Sequence, residues 1–254
     1  AWSELKPLPR QEDALYAFLS RLELNRLITR LGLTAPETLP EEPQPQEDNS
    51  KVRFIPLSGE ADLSGWAKDA PLYLAARWGE DGTPAALCLL CGETLTGCTA
   101  PDAGLWQKVF SLPNPKITAD AKPYYKASLK AGVDFANLWL DTGLAGYLLN
   151  PNASDYTVER QLAQQGLSLP AAEAPEELMP LVRECMGLCQ LSPMLERELE
   201  ANAQQKLLRE VEQPLCEVLA SMELTGFRID REGLRKFGIY LDGLTAALEQ
   251  EIYT

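Results

Sequence analysis

Histidine is absent from all 254 residues of the chain. Ser-His-Asp catalysis, Cys-His catalysis and every histidine-ligated metal site are thereby excluded, which leaves carboxylates, lysines and tyrosines for any chemistry. The chain also lacks a run near the roughly 18 consecutive apolar residues that a membrane-spanning helix needs, and no basic-then-apolar signal segment opens it. A soluble, cytoplasmic protein with no membrane partner is expected. Positive charge is scarce: 23 Lys and Arg stand against 37 Asp and Glu, a formal charge of -14. That excess repels a phosphate backbone, so contact with DNA needs help from attached parts. The six cysteines, Cys88, Cys91, Cys98, Cys185, Cys189 and Cys216, lack the dense spacing of a disulfide scaffold and sit mostly among apolar neighbours. They are read as reduced core residues.

What is present divides the chain into stretches of different texture. Residues 11–33 place Leu15, Phe18, Leu19, Leu22, Leu27, Ile28 and Leu31 near one side at helical spacing. Residues 34–50, TAPETLPEEPQPQEDNS, hold proline and acid with no basic residue and read as a flexible linker. From Lys51 the runs VRFIPL, APLYLAARW, PAALCLLCG, KITAD and FANLWL predict strands, with GEDGTP a hairpin turn between the second and third. The alternation with helical segments predicts an α/β fold, a mixed sheet flanked by helices. From about Leu195 the pattern turns helical, with a stripe at Leu207, Leu208, Val211, Leu215, Val218, Leu219 and Met222, and Pro214 predicts a kink or boundary. Gly226 suits a C-cap and Asp230 an N-cap. Beyond them Leu234, Phe237, Leu241, Leu244, Leu248 and Ile252 form a narrow seam that is still running at the last residue, as expected of a piece of something longer.

Two motifs carry a resemblance. EVEQPLCEVLASMELTGFRIDREGL, through Glu212, Pro214, Leu215, Val218, Leu219, Ala220, Met222, Glu223, Gly226, Asp230 and Leu234, resembles a segment of bacterial DNA polymerase I. DTGLAGYLLNPN resembles that family's D-T-x-L-A-x-Y-L-L-N-P segment. The helical start resembles the tail of the family's five-prime nuclease region. The resemblance implies four parts: a nuclease tail (1–33), an acidic linker (34–50), a three-prime to five-prime exonuclease-like domain of ribonuclease H-like fold (51–197) and the truncated, helical start of the polymerase thumb (198–254). It implies a parent nucleotidyltransferase of DNA replication and repair that uses magnesium and binds primer-template DNA. Because the polymerising palm and fingers lie downstream in the family, this segment alone is expected not to polymerise.

Proofreading hydrolysis needs two divalent metals about 4 Å apart, held by converging carboxylates. The family's first two acids fall on APLYLAARW, where the resemblance aligns Ala75 and Arg77, and no carboxylate occurs from residue 71 to 78. The third matches Asp120 in ADAK. The fourth, with its tyrosine partner, matches Cys185 and Leu181 in LVREC. The expectation is a silenced module with no catalytic, cofactor-binding or metal residue, no cofactor of its own, and weak or no DNA binding outside the parent with its remaining polymerase domains. Two alternatives stay open: an active exonuclease using Asp120 with Asp134 or Glu184, and a helical protein-interaction scaffold.

Other candidates resolve toward structure. Asp141, between LWL and TGLAGYLLN, is read as a helix cap, with Gly143 and Gly146 letting that helix approach the sheet and Asn150 and Pro151 ending it. Cys88 and Cys91 invite zinc, but residues three apart on a strand face opposite ways. Cys185 and Cys189, four apart, read as small core residues. KPYYKASLK, Lys122 to Lys130, could contact phosphates and stack bases, yet reads better as a solvated helix face over a packed tyrosine. Trp66, Trp78, Trp106 and Trp139 are assigned to core packing.

Overall fold

The computed structural model describes residues 12–21, 27, 30–32, 52–59, 63, 65–170 and 172–253. The expected linker at 34–50 lies outside them, as do Leu22 and Ile28 of the first stripe. Of that stripe, Leu19 is buried and Phe18 half-exposed on helix α1 (Glu12–Arg21).

Alternation builds the centre of the molecule. In β2 (Leu72–Trp78), Leu72 and Leu74 enter one apolar cluster while Tyr73 and Ala75 enter another. β3 (Pro84–Cys91) repeats the division, with Leu87, Leu89 and Cys91 on one face and Ala86, Cys88 and Leu90 on the other. A strand covered on both faces reads as a continuous apolar run, which is why PAALCLLC shows no polar alternation. The face opposite Cys91 from Cys88 also disposes of a shared zinc ion. The two strands pair antiparallel through the expected turn, with Tyr73 opposite Leu90 and Ala75 opposite Cys88.

Six strands form one mixed sheet in the order β1-β4-β3-β2-β5-β6. β1 (Arg53–Pro56) runs parallel to β4 (Thr94–Thr99), while β5 (Lys116–Thr118) and β6 (Leu138–Asp141) run parallel to β2. Helices α2 (Ala103–Ser111) and α3 (Lys122–Ala131) cover one face, with Leu105, Trp106, Val109, Phe110 and Tyr124 buried. The other face receives α4 (Thr142–Leu149), α5 (Val158–Gln164) and the long α6 (Met179–Ala201). β4 escaped the sequence reading because TLTGCT has one strong hydrophobe, Leu95. Its Gly97 is required by contact, since a Cβ there would lie 2.8 Å from the Leu87 carbonyl oxygen.

The helical extension departs from expectation in two ways. α6 begins at Met179, well before Leu195, and runs to Ala201. Beyond it, a π turn at Leu208–Glu212 precedes α7 (Gln213–Thr225), and Pro214 marks the expected boundary, in the first turn of α7, where its missing N–H is harmless. Finally, the apolar stripe does not face the module. Leu208 is buried, but Leu207, Val211, Leu215, Val218, Leu219 and Met222 are between 40% and 62% exposed. α7 instead buries Gln213, Cys216 and Ala220. Gly226 ends α7 with φ 64°, and Asp230 caps α8 (Arg231–Tyr253) by accepting from the Gly233 amide at 3.0 Å. The seam of α8 carries no buried residue. Among the described residues, no helix is long and apolar enough to cross a membrane.

Candidate functional site

The carboxyl ends of β2, β5 and β6 point the same way, and the connection leaving β5 is bonded to the one leaving β6. In open sheets with parallel strands this is where ligands sit. The connection from β5 to α3 holds Asp120, whose carboxylate accepts from the Lys122 amide at 3.1 Å and is exposed. That connection is fixed from beneath by Asp141. Asp141 Oδ1 accepts from the Leu144 amide at 2.9 Å, the expected N-cap of α4, and Oδ2 accepts from the Ala121 amide at 2.7 Å. The Gly143 amide adds a bond to the Ala119 carbonyl at 3.0 Å. A side chain at Gly143 has no room, since its Cβ would meet that carbonyl oxygen at 2.6 Å. The close neighbour of Gly143 is thus the β5–α3 connection rather than the sheet face. Gly146 likewise accommodates Gln161 of α5, not the sheet.

Charge in this corner is under strain from burial. Asp141, 2% exposed, has its pKa pushed up to about 7 by desolvation, which outweighs the amide bonds it accepts, and the nearby Asp120 adds to the rise. Glu184 on α6 is raised to about 7, again by burial. The Tyr124 hydroxyl donates to the Leu74 carbonyl at 3.3 Å, and burial lifts its pKa well above the ordinary tyrosine range, helped by the charges of Glu184 and Asp120. Asp120 and Glu184 thus each lie near enough to Tyr124 for their charges to act on it. Asp134 does not join them: it follows the far end of α3, about 15 Å along a ten-residue helix from Asp120.

The positions aligned with the family's other acids are filled differently. Ala75 and Cys185 are fully buried, and the Cys185 thiol donates to the carbonyl of Cys88 at 3.2 Å. Leu181 is buried one turn earlier on α6. Burial keeps the Cys185 thiol well above its usual pKa. Arg77, exposed, donates to the Glu177 carbonyl at 3.3 Å and brings a positive charge where a cation would need a negative one. Among the described residues, no three His, Cys, Asp or Glu are grouped as metal ligands. Alanine, arginine and cysteine at positions 75, 77 and 185 offer no side-chain oxygen to a magnesium ion.

The remaining candidates find partners. Trp78 and Trp106 are packed with the aromatic cluster around Phe110 and Tyr124. Trp139 is not a core residue: it is 39% exposed, with the Arg209 guanidinium 4.0 Å from its ring centroid. The lysines of α3 are not simply solvated. Lys122 and Lys126 pair with Glu223 of α7, and Lys130 donates to the Asp81 carbonyl at 2.7 Å. Sequence reasoning missed Lys116, fully buried in β5, whose ammonium donates to the carbonyls of Leu112 and Ala136 and whose pKa falls to about 8 through burial. It also missed Gln213, which accepts from the Asp141 amide at 3.0 Å and so ties α7 to the edge of the sheet.

No family model matches the chain. Among curated proteins it is 31% identical over 152 residues to DNA polymerase I of Geobacillus stearothermophilus, covering 54% of this chain and 17% of that protein. DNA polymerase I of Chloroflexus aurantiacus is 31% identical over 180 residues, 64% of this chain and 18% of its own length. That of Caldicellulosiruptor bescii is 25% identical over 98% of this chain and 28% of its own length. The chain thus spans less than a third of each of these relatives. Among solved structures, the polymerase domain of Pol1 from M. smegmatis, in complex with DNA primer-template and dNTP, superposes with a TM-score of 0.65 at 19% identity, over 78% of this chain and 36% of that one. Brucella melitensis NrnC with bound Mg2+ gives 0.55 at 13% identity, over 70% of this chain and 95% of that one. Escherichia coli RNase D, an exoribonuclease, gives 0.53 at 13% identity, over 67% and 51%. The fold is therefore that of the ribonuclease H-like exonucleases, and the chain is a distant homologue of bacterial DNA polymerase I over the region that aligns with its three-prime to five-prime exonuclease-like domain.

Proposed function

We propose that the chain is a region of a bacterial DNA polymerase I in which the exonuclease-like domain no longer hydrolyses DNA and serves as a support. In this reading residues 1–33 are the tail of the five-prime nuclease region, 34–50 a linker, 51–197 the exonuclease-like domain and 198–254 the start of the thumb. Primer-template DNA would be gripped by the remaining polymerase domains, with magnesium acting there, and this region alone would bind such DNA weakly or not at all.

The observation that carries the reading is the seal at Ala75, Cys88 and Cys185. Where the resemblance places carboxylates around two cations, this chain has a fully buried alanine at 75 and a fully buried cysteine at 185, whose thiol donates to the Cys88 carbonyl of β3 at 3.2 Å. One exposed carboxylate, Asp120, cannot offset the charge of two cations or replace their water shells. The test is direct: the purified protein, given magnesium or manganese and end-labelled single-stranded DNA, releases no nucleotide. Metal-dependent release that Asp120→Ala abolishes would overturn the proposal.

One observation favours a second reading, an active exonuclease built on Asp120 and Glu184, because both charges act on Tyr124. Calorimetric titration with manganese separates the two readings. A living site binds the ion measurably, and a support does not.

A further inference from the structure

Lys122 and Lys126 rise from the first two turns of α3, directly after Asp120. They therefore stand at the carboxyl end of the parallel strands, the end at which this topology receives a ligand. Two lysines one helical turn apart, with Tyr125 between them, suit a nucleic-acid backbone in charge and spacing.

Both ammoniums are paired with one carboxylate, although the lysine side chains stay partly exposed. Glu223 of α7 places Oε1 3.0 Å from Lys122 Nζ and Oε2 3.1 Å from Lys126 Nζ. One carboxylate oxygen per ammonium is also how the two non-bridging oxygens of a phosphate would engage the pair. The contact holds the Glu223 carboxyl below its ordinary pKa and raises that of Lys122.

The carboxylate is delivered by a fixed element. Residues 213, 216, 220 and 223 recur in steps of three and four, on one side of α7. The first three are buried, and Gln213 is bonded to the Asp141 amide. Cys216 and Ala220 are small enough for α7 to close on α3. An exposed ion pair has little strength of its own, so what presses Glu223 onto the lysines is the buried contact below it.

We propose that Glu223 is an internal stand-in for a nucleic-acid phosphate: it occupies the Lys122–Lys126 pair and keeps single-stranded DNA off α3. This goes beyond the loss of hydrolysis and holds whether or not the metal site is dead. Removing the Glu223 charge frees two cations and removes one repulsive anion in a single step.

The experiment is Glu223→Gln, which keeps the shape of the side chain. A dye-labelled oligothymidylate is titrated by fluorescence anisotropy across a salt series without divalent metal, so that the outcome is independent of the nuclease assay. The variant is expected to bind more tightly than the unsubstituted protein, and its plot of log affinity against log salt steepens by about 1.4, two phosphate contacts at about 0.7 each. Adding Lys126→Ala returns about half of that change. An unchanged slope in Glu223→Gln, with or without a lower melting temperature, overturns the proposal, because a purely structural latch gives that result. A slope that Lys126→Ala leaves untouched overturns it as well.

Discussion

At the scale of single residues, Asp141 shows how a side chain can serve as a cap and still be costly. Its carboxyl takes two amide bonds, yet burial raises its pKa from the ordinary 3.8 to about 7. A raised folded pKa means that the folded state binds the proton more tightly. The associated stability is complete below the unfolded value near 3.8 and is lost as pH rises through about 7. Glu184, raised for the same reason, acts in the same direction. The protein is therefore expected to melt at a lower temperature at about pH 8 than at about pH 5.5. Asp141→Asn keeps one accepting oxygen for the cap but leaves the buried Ala121 amide facing a donor, so it should lose part of that difference and cost about 1–3 kcal/mol at the lower pH. Parallel melting profiles for the two proteins across this window would contradict the assignment. The sequence disclosed Asp141 as a cap because capping is local, set by a residue and the amide three positions on. It did not disclose the bond to Ala121, twenty residues away, or the burial of Lys116, since a lysine in a three-residue strand between Pro115 and Ile117 carries no local sign of the carbonyls that will surround it.

At the scale of elements, the strands written in apolar residues were legible and the one written in threonine and glycine was not. β2 and β3 declare themselves by apolar runs, interrupted only by Arg77, whereas β4 is a strand because β3 and β1 pair with it on its two sides. The helical extension shows the converse error. The strongest apolar stripe of α7 faces outward, and the face that binds the module is made of glutamine, cysteine and alanine. Hydrophobic periodicity names a helix correctly and still misassigns its inner side when close approach demands small residues. Close approach also predicts the consequence of substitution at Gly143. A methyl there gains up to about 1 kcal/mol in helix propensity but collides with the Ala119 carbonyl. Gly143→Ala is therefore expected to destabilise by about 1–3 kcal/mol in urea unfolding. Gly243, with open space around its would-be Cβ on α8, provides the comparison: Gly243→Ala should raise helicity by circular dichroism without loss of stability. Equal effects at the two glycines would show that contact with the β5–α3 connection is not what holds Gly143.

At the scale of the whole molecule, the relation between fold and activity turns on whether the scaffold still has a place for two cations. The chain has the mixed six-strand sheet, a connection carrying Asp120 and α6 packed on β2, while positions 75, 77 and 185 are alanine, arginine and cysteine. Restoring the acids by Ala75→Asp, Arg77→Glu and Cys185→Asp puts two carboxylates into positions that are fully buried. Without a cation to offset them, buried charges of that kind cost several kcal/mol, so the triple variant should melt well below the parent in chelator. Manganese should then recover stability by mass action, about 2.7 kcal/mol at a hundredfold excess over the dissociation constant. The unsubstituted protein should melt at the same temperature with and without the ion, and that half of the experiment stands even if the triple variant does not fold. A manganese-dependent rise in the unsubstituted protein would mean that Asp120 and Glu184 already hold a cation. The apolar seal would then lie beside a working site instead of replacing one.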